Sequence, residues 1–137
     1  MKFIPSQEDH YNAAISNLNF YKLNKNNLNK YPDWGIVILF YELIHLIERV
    51  LAISPIKKEY QHSRNHKQRY RTMQNMRTKI PKEILTKYRI MSNLSRNARY
   101  DYGKITLEIL QNFEKEEYND LKYFFQNLFR EFRKYKR

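Results

Sequence analysis

Glycine and proline punctuate a chain, and here they are nearly missing: 137 residues contain two glycines and four prolines. A sandwich or barrel needs a turn signal roughly every eight to twelve residues. This chain cannot supply them. Long helices are what remain. The breaks at Pro5, Pro32, Pro55, Pro81 and Gly103 divide it into five helical patterns within one domain, residues 1–137. The fold class expected is all-α, an antiparallel bundle of four to five helices. Aromatic residues make up 15 % of the chain, enough to argue against disorder.

The first pattern runs from about Ser6 to Leu28, with Tyr11, Ile15, Leu18 and Tyr21 at helical spacing and Ser6/Asp9 as an N-terminal cap. The second begins at Asp33 and reads "WGIVILFYELIHLIERVLAI"; it is apolar around most of its girth and marks the central helix. On a helical wheel its polar groups share one arc, in the order Glu42, Arg49, His45, Tyr41 and Glu48. After a loop from Ser54 to about Ser63 come a basic helix from Arg64 to Lys79, a helix opened by Pro81 and stopped by Gly103, and a last helix from Ile105 to the C-terminus. That last helix is expected to bend near "EKEEYND" and to bury Leu121, Phe124 or Phe125, Leu128 and Phe132.

Charge is unevenly spread. The net charge is +12; residues 57–104 hold 14 basic against 3 acidic residues, while residues 1–56 hold five of each. A cationic excess confined to the middle third points to an anionic partner, nucleic acid foremost, and Arg64, Lys67, Arg71, Arg96 and Tyr100 are the binding candidates.

Several chemistries are excluded. No cysteine is present, so disulfides, thiolate zinc sites and cysteine nucleophiles are out. There is no Gly-x-Ser-x-Gly and no phosphate loop. Glu42–His45 and Glu59–His62 are each a Glu-x-x-His, and His62 and His66 have zinc-compatible spacing. The second Glu-x-x-His falls in a loop among cations, however, and no metal or other cofactor is expected. The N-terminus lacks a signal-peptide run, and the apolar window Ile36–Ile47 is short and interrupted by Glu42 and His45. A cytoplasmic protein with no membrane partner is expected.

Chemistry by histidine, arginine and tyrosine remains, and it suits RNA. Metal-free cleavage needs a base for the 2′-hydroxyl, an acid for the leaving oxygen and cations for the phosphorane. His45, His66, Arg69 and Arg99 are the catalytic candidates, with Tyr41 and Glu48 as supporting groups. Each has a plainer reading: His45 as a hydrogen-bonded core residue, His62 as a loop residue in water, and Arg96 as part of a solvated face.

Three stretches, "WGIVILFYELIHLIERVLA", "HSRNHKQR" and "MSNLSRNARYDYG", together resemble the HEPN superfamily of small helical proteins. Trp34, Phe40, Tyr41 and His45 fall on the first element, His66 and Arg69 on the second, and Ser95, Ala98, Arg99 and Tyr100 on the third. The resemblance implies a HEPN-like bundle that forms a homodimer around a polar cleft. It also implies either a metal-independent endoribonuclease of a toxin–antitoxin or other defence system, partnered by an antitoxin or defence protein, or a binding module without catalysis. One departure stands out: no arginine is followed by a histidine after four to six residues, the family's usual catalytic signature. Either the site is rebuilt from His45, His66 and Arg69 or Arg99, or the protein binds RNA or a protein partner without cutting. The rebuilt site requires His66 and Arg69 to face His45 and Arg99.

Overall fold

The computed structural model describes residues 3–135, and these contain helices and no strand. Five helical arms make the bundle. The first is α1 (Gln7–Leu23) with its short continuation α2 (Lys25–Lys30). α3 (Pro32–Ile53), α4 (His66–Gln74) and α5 (Lys82–Tyr100) follow. The last arm is α6 (Leu107–Phe113) joined to α7 (Asn119–Tyr135) through a π-helical stretch, Glu114–Tyr118. No described helix is long and apolar enough to cross a membrane.

Local chemistry sets most of the ends. Ser6 Oγ accepts from the Asp9 amide and Asp9 accepts from the Ser6 amide, a reciprocal cap that starts α1. Pro32 occupies the first turn of α3, where its missing N–H has no partner to lose. Asn65 caps α4 through the Gln68 amide, and Thr106 caps α6 through the Ile109 amide. Gly103 has φ +90°, a left-handed turn only glycine adopts cheaply, and its amide donates to Asp33 at 3.2 Å.

The helical patterns differ from the sequence expectation in three places. The first helix breaks at Asn24, whose Nδ2 bonds the Phe20 carbonyl and competes with the helical ladder. The basic helix is shorter than Arg64–Lys79, starting at His66 and ending at Gln74. The bend near "EKEEYND" takes the form of the π-helical stretch, and the final two residues of the expected last helix lie outside the described residues.

α3 is the axis of the core. Ile36, Leu39, Phe40, Leu43, Ile47, Val50 and Leu51 are all sealed from solvent. Leu121, Phe125, Leu128 and Phe132 of α7 close one side. α1 turns a face to α3 that its apolar spacing does not suggest: His10, Ala14 and Tyr21 are buried, while Tyr11 and Ile15 stay exposed.

Gly35 tests how tightly this core is set. A Cβ there would meet Leu110 Cδ2 at 2.8 Å, and Leu110 is itself buried. Alanine gains about 1 kcal/mol of helix propensity over glycine, but overpacking costs about 1–3 kcal/mol. Gly35→Ala is therefore expected to lower the urea midpoint; a raised midpoint would show that α6 yields freely.

Candidate functional site

Every member of α3's polar arc finds a partner within the chain. Glu42, buried, accepts from Tyr118 Oη at 2.5 Å and pairs with Lys122 at 2.8 Å. Arg49 lies between the rings of Phe129 and Tyr11, 3.5 and 4.3 Å from their centroids. Tyr41 accepts from Arg99 Nη1 at 3.0 Å. His45 Nδ1 meets His10 Nδ1 of α1 at 3.1 Å. The polar arc of α3 is thus met by the chain's own side chains.

Glu48 organises the rest. One carboxylate oxygen accepts from the Ser63 amide, and the other from Ser63 Oγ and from Arg69 Nε at 3.2 Å. Both Glu48 and Arg69 are buried, so the loop before α4 and α4 itself are tied to α3 by a desolvated ion pair. Arg69 then reaches on, its Nη1 lying 2.7 Å from His66 Nδ1.

That last contact fixes a proton. Arginine has no acceptor, so His66 Nδ1 must offer its lone pair and the ring proton must sit on Nε2. His66 is exposed, yet desolvation by its neighbours, then the Arg69 and Arg99 guanidiniums, hold its pKa below the ordinary histidine value against a pull from Glu48. His66 is a neutral ring presenting an N–H.

On the other side of the pair, three histidines gather. His10 contacts His45 and stacks on His62, with ring centroids 6.1 Å apart. Burial is the main cause that lowers the pKa of His10, offset in part by Glu48 and reinforced by His45 and His62. Burial also lowers that of His45, with Arg69 adding to the effect. His62 is not a residue in water: it is half-buried with Nδ1 enclosed and unpartnered. Among the described residues no group of three His, Asp or Glu side chains is placed to hold a metal ion.

Two open clefts flank α4. One, about 670 Å³, is lined by His66, Arg96, Arg99, Tyr100, Ser92 and Asp101. The other, about 490 Å³, carries Arg64, Lys67 and Arg71 beside Tyr60. The structure therefore brings His66 and Arg99 together with Arg96 and Tyr100, and sets Arg64, Lys67 and Arg71 in a groove of their own. His45 lines neither cleft, and Arg69 is buried behind His66. Ser95 and Ala98 are buried packing positions on α5, and Trp34 is 61 % exposed.

Sequence reasoning passed over His10 and Tyr60. Nothing local marks His10; only the pairing of α1 with α3 brings it to His45. Ser63, at the end of the loop before α4 and fifteen residues beyond Glu48, supplies two of that carboxylate's bonds.

The neutral histidines give a pH signature. His10, His45 and His66 have native pKa values below the unfolded value of about 6.5, so unfolding takes up protons beneath it. Stability is complete above about pH 6.5 and is lost as pH falls through the depressed native values. Glu114, raised by burial, works in the opposite sense, but it is one group against three. The urea midpoint is expected to fall between about pH 6.5 and 5.5, and to fall less in His10→Gln. A midpoint constant over that window would contradict the assignment.

Comparison with protein-family models, with curated proteins and with solved structures finds no match to this chain.

Proposed function

We propose that this protein is an RNA-binding helical module that holds single-stranded RNA across α4. The observation that carries the reading is the pair of clefts whose cations lack carboxylate partners. Among the described residues no carboxylate lies within ion-pair distance of Arg64, Lys67, Arg71, Arg96 or Arg99. Cations gathered in this way repel one another and favour an anion that follows the surface.

In the cleft, Arg96 and Arg99 can take a phosphate bidentately while the His66 Nε2–H donates to it. Across α4, Arg64, Lys67 and Arg71 extend the phosphate track. Tyr100 and Tyr102, 76 % and 82 % exposed, offer ring faces to unpaired bases, as does Tyr60 by the groove. Stacking of this kind favours single strands, and the HEPN resemblance favours RNA among them.

The endoribonuclease role implied by the same resemblance asks more of His66 than its surroundings allow. As a base it would need a lone pair on Nε2, at the loss of its bond from Arg69. As an acid it would place an Nδ1–H against that guanidinium. Both proton roles are opposed, and His45 is absent from the cleft. Binding without cleavage is the reading these contacts support.

Fluorescence anisotropy with a labelled oligonucleotide of about 12 nucleotides tests this. Affinity should fall steeply with salt, because each phosphate contact releases counterions. Charge reversal at Arg64, Lys67 and Arg71 together should abolish binding, and Tyr100→Ala should weaken it by about 1–3 kcal/mol. The RNA should stay intact in EDTA. Affinity flat with salt, or equal for duplex and single strand, would defeat the proposal; cleavage in EDTA that His66→Ala removes would restore the nuclease reading.

A further inference from the structure

Arg49 is a half-buried cation without an anion. Its guanidinium lies over the rings of both Phe129 and Tyr11, and these two cation–π contacts hold it in place. Its Nε is enclosed and unpartnered, whereas its Nη nitrogens are neither enclosed nor hydrogen-bonded among the described residues and are the donors left to meet a ligand.

Arg49 lines a pocket of about 350 Å³ at the start of α1, the end of α3 and α7, with Arg133, Glu8 and Gln7 also on its walls. Burial lowers the Arg49 pKa, and the like charges of Arg133 and Arg130 add to it, against a smaller pull from Tyr11. Glu8 pairs with neither arginine, and among the described residues no other carboxylate lies within ion-pair distance of Arg49 or Arg133. None of these groups lines the clefts beside α4.

We infer that this pocket is an anion site for a phosphate monoester, with Arg49 as its fixed fork and Arg133 as its second cation. The charge favours a monoester over a carboxylate or a diester. Two guanidiniums with Arg130 nearby, set against one carboxylate, match a group carrying about two negative charges at neutral pH. Its three terminal oxygens can be shared between two forks, whereas a carboxylate offers two and a diester phosphate carries a single charge. The strongly cationic chain, +12 in net charge, favours the terminal phosphate of a nucleic acid as the source. The site is separate from the proposed RNA surface and does not depend on it.

Arginine side-chain resonances, followed by NMR during titration with inorganic phosphate, uridine 5′-monophosphate, O-phosphoserine and uridine, test the assignment. The Arg49 guanidinium Nη–H signals should move with the three phosphates and not with uridine. Tighter binding of uridine 5′-monophosphate than of O-phosphoserine is expected; tighter binding of O-phosphoserine would overturn the nucleic-acid source. Arg133→Ala, at an exposed position, should weaken binding about tenfold, as should Arg49→Lys, which keeps the charge and loses the fork. Arg96→Ala should leave the Arg49 response unchanged. An Arg49 signal indifferent to phosphate, or an affinity untouched by Arg133→Ala, would overturn the inference. Phosphate binding seen only at Arg96 and Arg99 would also overturn it, while leaving the RNA reading intact.

Discussion

Glu48 lies on the most apolar helix of the chain, and its carboxylate has to be satisfied where water does not reach. Two bonds from Ser63 and one from Arg69 do this. A buried ion pair adds little net stability when complete, because desolvating both partners offsets their attraction; removing one partner typically costs about 3–5 kcal/mol. Its main contribution here is therefore to position. The pair sets the loop end at Ser63, the depth of α4 and, through Arg69, the orientation of His66. The clefts on either side of α4 depend on where that helix sits.

The same pair separates the histidines into two groups with different work. His66 shares a cleft with Arg96 and Arg99. His10, His45 and His62 lie together, partly dehydrated, where the bundle closes. Groups that titrate near neutrality suggest catalysis when they are read from a sequence. The surroundings of His10, His45 and His66 favour neutral rings, His66 presenting a donor to the cleft and the other two packed together.

Much of the fold was legible in the residues, and for identifiable reasons. Pro32, Pro81, Gly103 and the Ser6/Asp9 cap mark helix ends through backbone chemistry that acts within a few residues. The apolar girth of α3 identified the core helix, and a wheel placed its polar groups on one arc. Distance in the chain hid the partners. Tyr118 reaches Glu42 from 76 residues away, and His10 reaches His45 from 35. The apolar spacing of Tyr11 and Ile15 pointed to the wrong face of α1, because aromatic and aliphatic side chains on a surface helix can stay partly exposed while a histidine and an alanine fit the closer approach. The clustering of charge was readable; that α4 would divide it between two clefts was not, since that depends on the Glu48–Arg69 pair.

The central claim is that Arg69 holds His66 as a neutral ring with its proton on Nε2. Long-range proton–nitrogen correlation of the histidine side chains, recorded in the intact protein near neutral pH, observes this directly. The account predicts that His66 Nδ1 behaves as an unprotonated acceptor and Nε2 as a protonated nitrogen. A proton on Nδ1, or an imidazolium at neutral pH, would contradict it and would return His66 to the list of groups able to move a proton.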